Sequence, residues 1–231
     1  MRGRRGLVGG IAALVVGIIG LLTVVPAIGA SLGPNGWGPG PWGMMGMPAM
    51  AGMMGGPVAA DAQPIDIERA STVAQNYIAS LGNPNLALAE VMEFGGNYYV
   101  QALERDTGVR AFELLIDKYT AAVFPEMGPN MLWNTRYGMM GGMMGWRRSA
   151  QGQSAEMSIG PERAQELARQ YLKTQGLPLD VAQPDRFYGY YTMHTLRQDG
   201  IEGMLSVNGY SGQVWYHVWH GPFVQERELM R

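Results

Sequence analysis

The chain of 231 residues contains no cysteine. A disulfide framework, a thiolate metal site and a thiol nucleophile are therefore excluded. Histidine is scarce, at His194, His217 and His220 only. No Asp, Glu, Lys or Arg occurs from Gly6 to Ala60. The net charge is −2, and the first 30 residues hold three arginines and no acid, which leaves 14 basic against 19 acidic residues elsewhere. Nucleic-acid binding needs a basic face to neutralise phosphates, so no nucleic-acid partner is expected. The sequence also lacks G-x-S-x-G, P-loop and H-E-x-x-H patterns, so the chain reads as not an enzyme.

The N-terminus places Arg2, Arg4 and Arg5 before an uncharged apolar run, Leu7–Val25, closed by Pro26. A bilayer core takes roughly 20 helical residues, and flanking arginines stay cytoplasmic. Residues 1–30 thus read as a signal anchor, or as a signal peptide cut near Ala27–Ala30. The Arg4–Arg5 pair is a weak match to twin-arginine export. The expected location is the cell membrane, single-pass through Leu7–Val25 with the bulk of the chain extracytoplasmic, or secreted if the segment is cleaved. Residues 31–63 are rich in Gly, Pro and Met and show neither helical nor strand period. They read as a flexible linker, because such a segment has no face to bury against its ordering entropy.

Beyond Pro64 the chain repeats itself. "IDIERASTVAQNYIASLG" begins at Ile65 and "IGPERAQELARQYLKTQG" at Ile159, an offset of 94. Ala70, Val73, Ala74, Tyr77, Ile78 and Leu81 follow helical spacing, as do Ala164, Leu167, Ala168, Tyr171 and Leu172. Asp66 suits an N-cap and Pro161 a first helical turn, while Gly82 and Gly176 suit the exits. Strand-like stretches follow each helix, at about Leu88–Phe94, Asn97–Glu104, Val109–Asp117 and Thr120–Met127, then at Val181–Tyr188, Tyr190–Arg197, Ile201–Val207 and Gln213–His220. Turn signals separate them, among them "QDG" and "NGYSG". "NYYVQAL" aligns with "GYYTMHTL", and Gly128-Pro129 with Gly221-Pro222.

The expected fold class is α+β, with two tandem helix-plus-antiparallel-meander units after the N-terminal transmembrane helix or signal segment. The units span residues 64–128 and 158–224, with a Met/Gly-rich connector at 129–157 and a C-terminal tail at 225–231. Whether the two sheets join or exchange edges stays open at this point.

The unit resembles the PepSY domain family of bacterial and archaeal envelope proteins. Glu68-Arg69-Ala70 and Glu162-Arg163-Ala164 carry the resemblance, with "NGYSGQV" at Asn208–Val214, which matches the family's D/N-x-x-x-G-x-V ending. "DKYTAAV" at Asp117–Val123 departs from it by lacking the glycine. The connector resembles that of Met-rich, membrane-anchored relatives. The resemblance implies protein binding, with protease inhibition or regulation among its forms, and brings no catalytic residues. An envelope protein or a protease is the partner it implies.

Ten of the 18 methionines lie in two uncharged, Gly-rich runs. The first holds Met44, Met45, Met47, Met50, Met53 and Met54; the second holds Met139, Met140, Met143 and Met144. Thioethers are soft, neutral ligands that select Cu(I) or Ag(I), and glycine lets the backbone gather sulfurs around one ion. The same runs also suit an adhesive patch for a partner or lipid headgroups, an oxidant sink, or a tether of no specific role. Trp133, Tyr137 and Trp146 bracket the second run and are the candidate partner-binding residues.

"HVWH" at His217–His220 reads as strand, where i and i+3 point to opposite faces. A chelating pair there requires a bulge or a strand end between the two imidazoles. The aromatics Tyr98, Tyr99, Tyr190, Tyr191, Trp215, Tyr216 and Trp219 read as core plus one exposed face suited to protein binding.

Overall fold

The computed structural model describes residues 62–138, 156–198 and 200–230. The described region is α+β: a helix precedes an antiparallel sheet, twice. The first unit runs α1 (Ile67–Ser80), β1 (Leu86–Phe94), β2 (Tyr98–Glu104), β3 (Arg110–Ile116) and β4 (Val123–Pro125). A single helical turn, α2 (Pro129–Leu132), opens the connector. The second unit runs α3 (Pro161–Thr174), β5 (Asp180–Val181), β6 (Asp185–Arg186), β7 (Tyr190–Arg197), β8 (Gly200–Asn208) and β9 (Val214–Tyr216), and the chain closes with β10 (Phe223–Glu228). No described helix is long and apolar enough to cross a membrane. Leu7–Val25 lies outside the described residues.

Each helix forms where the apolar period predicts. Asp66 caps α1 by accepting from Arg69 N at 2.7 Å, a cap worth about 1 kcal/mol. The α1 stripe of Ile67, Ala70, Ala74 and Ile78 buries against Val91, Tyr98, Val100, Ala102, Leu114 and Ile116. In the second unit Ala164, Ala168 and Leu172 bury against Val181, Tyr191, Met193, Leu205 and Val207. Each fully buried aliphatic side chain contributes about 1.5–3 kcal/mol.

The first sheet has the order β10-β1-β2-β3-β4; the second has β5-β7-β8-β9, with β6 also on β7. Every ladder between named strands is antiparallel. The expected strand Val181–Tyr188 is split into two short pieces. Gln183-Pro184 falls between them, and proline has no N–H to give a ladder. The "DKYTAAV" turn forms even without its glycine. Ala121 takes a left-handed φ of +58° where the second repeat places Gly212 at +73°.

Three further features differ from the sequence-based reading. The tail expected from residue 225 is part of β10, which pairs with β1 and completes the first unit's sheet (Met92 opposite Glu226, Glu93 opposite Gln225). The second faces of the two sheets are not exposed either; they lie against each other. Met92, Phe94, Tyr99 and Leu115 of the first sheet pack with Met204 of the second. Across the same junction Tyr190 and Thr192 donate to Glu113, both at 2.8 Å, and Gln101 donates to Asp185 at 3.2 Å. The layers therefore run helix, sheet, sheet, helix. The paired tyrosines are also offset by one. Tyr98 bonds the Ile65 carbonyl and Tyr191 the Ile159 carbonyl, so Tyr191, not Tyr190, matches Tyr98.

Candidate functional site

The junction between the sheets buries many polar groups, and their densest meeting point is Glu126, His217 and His220. All three are buried, at 0, 3 and 1% exposure. Glu126 lies one residue past β4. Its N–H donates to Glu113 O at 3.0 Å, and Asn130 Nδ2 closes on both Glu126 O (3.1 Å) and Glu113 O (3.0 Å). The histidines come from the other unit. β9 stops at Tyr216, His217 N still donates to Met204 O at 3.0 Å, and the chain then turns. That strand end brings His217 and His220 to one point, where an uninterrupted strand would send them to opposite faces.

The turn is seated on Gly95-Gly96, between β1 and β2. Gly96 N donates to His220 O at 2.9 Å and Gly95 N to Pro222 O at 2.8 Å. A Cβ on Gly96 would stand 3.1 Å from His220 O, and one on Gly95 3.0 Å from Pro222 Cδ. Side chains there would push the turn away. Gly128-Pro129 and Gly221-Pro222 occupy corresponding places in the repeats, so Glu126 and Trp219, each two residues earlier, stand at matching positions. They meet directly: Trp219 Nε1 donates to Glu126 Oε1 at 3.1 Å.

His217 Nδ1 stands 3.3 Å and His220 Nε2 3.0 Å from Glu126 Oε1. The far side of each ring is committed. Asn97 Nδ2 reaches Trp219 O at 3.5 Å, so its Oδ1 accepts from His220 Nδ1–H at 3.0 Å. Thr192 donates its only proton to Glu113, so Ser206 donates to Thr192 (2.8 Å) and His217 Nε2–H donates to Ser206 (3.0 Å). Both imidazoles therefore aim a lone pair at the carboxylate. Ring stacking fixes them: His217 lies on Trp219 at 4.7 Å and His220 on Phe94 at 4.6 Å.

Burial raises the Glu126 carboxyl, but His217 and then His220, when a proton sits between ring and carboxylate, hold it down to about 2; with that proton gone the two lone pairs face the carboxylate directly. Burial pushes His220 below the ordinary histidine value, against the pull of Glu126. Glu113 goes the other way. Burial and the Glu126 charge push it well above the carboxylate range, although Tyr99, Tyr190 and Thr192 all donate to it. The site thus gathers one carboxylate and two ring nitrogens at one buried point, a donor set for a proton or a metal cation.

A second group joins Glu90, Asp185 and His194, with His194 Nε2 3.4 Å from Glu90 Oε1. Its Asp185 is already paired with Arg110 at 3.0 Å. A third centre is Glu104, 1% exposed, which receives Tyr137 and Tyr188 hydroxyls and Arg136 Nη1 at 3.2 Å.

Trp133 and Tyr137 are half-buried. Trp133 packs edge-on to Tyr190 and Trp215, and Tyr137 against Phe112. Trp146 and the ten methionines, Met44 through Met54 and Met139 through Met144, lie outside the described residues. The sequence reading passed over the junction carboxylates. Their signal was present: Glu90 and Glu113 each interrupt an apolar strand ("LALAEVMEF", "RAFELLI"), and Glu104 ends one ("YYVQALE").

No family model and no curated protein matches the chain. Among solved structures it is similar to the Bacillus megaterium YpeB C-terminal domain, at 12% sequence identity and a TM-score of 0.22. The match covers 66% of this chain and 62% of that one, so less than two thirds of the other chain is spanned.

Proposed function

We propose that the chain is a non-enzymatic binding and regulatory protein of the cell envelope, built from two PepSY-like units. The observation that carries this reading is the pair of helix-plus-meander units at repeated sequence, folded sheet to sheet and tied by β10. The Glu-Arg-Ala helix starts and the "NGYSGQV" turn are the family-like features behind it. In this reading Leu7–Val25 anchors the protein, and the folded region meets an envelope protein or protease outside the cytoplasm.

The test is cross-linking in intact cells with a tagged full-length chain, followed by fractionation. The reading predicts a membrane-bound chain, cut by protease added outside, with one reproducible cross-linked envelope partner. A chain in the cytosolic fraction, or cross-links no different from an unrelated anchored protein, contradicts it.

A second reading rests on the methionine runs, as Cu(I) or Ag(I) ligands for metal tolerance or delivery. Titrating Cu(I) against a chromophoric chelator, with the full chain and a variant carrying leucine at all ten positions, tests it. Tight binding lost in the variant supports it, and equal binding by both chains refutes it.

A further inference from the structure

We propose that Glu126, His217 and His220 form a binding site for one divalent transition-metal ion of the zinc type, at the junction of the two units. The proposal is independent of the PepSY reading and of the methionine runs.

The donor atoms point to it first. Among buried side-chain atoms without a hydrogen-bond partner are Glu126 Oε2, His217 Nδ1 and His220 Nε2. The two ring nitrogens and one Glu126 oxygen lie within 4.8 Å of one another; the oxygen nearest both nitrogens is Oε1, which also accepts from Trp219, and Oε2 is the one left without a partner. Two imidazoles and a carboxylate form a recurrent zinc ligand set. Ligands about 2.0–2.2 Å from a tetrahedral ion stand roughly 3.3–3.5 Å apart, and the nitrogens here are 3.3 and 3.0 Å from Glu126 Oε1.

The surroundings match as well. A metal-bound histidine gives its other N–H to a fixed oxygen, which sets tautomer and ring orientation. His220 gives Nδ1–H to Asn97, and His217 gives Nε2–H to Ser206. The Glu90–Asp185–His194 group is less suited. Its Asp185 is neutralised by Arg110 and bonded by Gln101, and its members are less buried.

Position gives the site a consequence. Glu126 comes from the first unit and both histidines from the second, so a bound ion ties the units together. All three ligands are buried, so loading and release require the junction to open.

The experiment uses the full-length chain in detergent, stripped with chelator in mild denaturant, refolded, and titrated with Co(II) and Zn(II). The expected result is one equivalent of Co(II) per chain with the visible bands of a four-coordinate nitrogen/oxygen site, displaced by Zn(II). Zn(II) should also raise the unfolding temperature. His220→Gln and Glu126→Gln should abolish the bands, and Asn97→Ala should weaken binding by roughly 10–100-fold. His194→Gln and the variant with leucine at the ten run methionines should keep them. If the stripped wild-type chain refolds to its native circular dichroism yet gives no bands and no thermal shift, the cluster binds protons alone and the proposal falls. Bands that survive in His220→Gln but vanish in His194→Gln overturn it equally, by moving the metal to the other cluster.

Discussion

Thr192→Val removes one hydroxyl from the junction and leaves its shape intact. Thr192 is fully buried, donates to Glu113 at 2.8 Å and accepts from Ser206 at 2.8 Å. Each bond contributes about 1 kcal/mol net, and stranding a buried partner adds about 1–3 kcal/mol. The valine is nearly isosteric, so no cavity term enters. The expected loss is about 3–5 kcal/mol, or about 6–20 °C in Tm at about 2–4 °C per kcal/mol for a folded region of this size. Urea unfolding followed by tryptophan fluorescence reads it, since Trp133, Trp215 and Trp219 lie near this junction. Thr174→Val, at an exposed helical position, provides the control and should stay within about 0.5 kcal/mol of wild type. If Thr192→Val matches that control, the junction network is not a source of stability and the reasoning fails.

Ala121→Gly should stabilise the chain by about 1 kcal/mol, because Ala121 holds a left-handed φ of +58° that glycine adopts without cost; chemical denaturation reads the sign. Leu172→Ala should destabilise by about 2–5 kcal/mol, since Leu172 is fully buried against the second sheet; a loss below about 1 kcal/mol would mean α3 does not pack as described. His194 supplies a pH dependence. Burial opposes its charge, but Glu90 facing it from β1, with Asp185 on β6 and Glu226 on β10, raises its pKa above the ordinary histidine value; Arg110, paired with Asp185, is the cation nearby. A raised folded pKa means stability that is full below the unfolded value and lost as pH rises through the folded one. Unfolding midpoints in chelator-treated buffer should therefore fall more steeply from pH 6 to 9 for wild type than for His194→Gln, and parallel curves would contradict the pairing.

The helices and most strands were legible because local signals set them. The stripe from Ala70 to Leu81 can bury only as a helix, and "NGYSG" can turn only one way. The junction was not legible, for three physical reasons. Strand alternation gives each sheet a second face but does not say what covers it. Tyr99 and Tyr190 suit an exposed binding surface as well as a buried one, and only the pairing across Glu113 decides. β10 carries "FVQERE", mostly polar because it lies at a sheet edge, so it looked like a tail. The convergence of His217 and His220 depends on β9 ending at Tyr216, and a one-residue boundary lies below what spacing resolves.

The most direct test of the central claim, that the second repeat closes on the first within one chain, is a disulfide between β10 and β1. Glu93 lies opposite Gln225, and Gln225 Nε2 reaches Glu93 Oε2 at 2.7 Å. Opposed residues in an antiparallel pair stand about 4.5–5.5 Å apart at Cα, within disulfide range. The native chain has no cysteine to compete. The account predicts that Glu93→Cys with Gln225→Cys oxidises within the monomer, with no free thiol left and a raised unfolding temperature. Thiols that stay free under oxidant, or a bond that forms only between two chains, would contradict it.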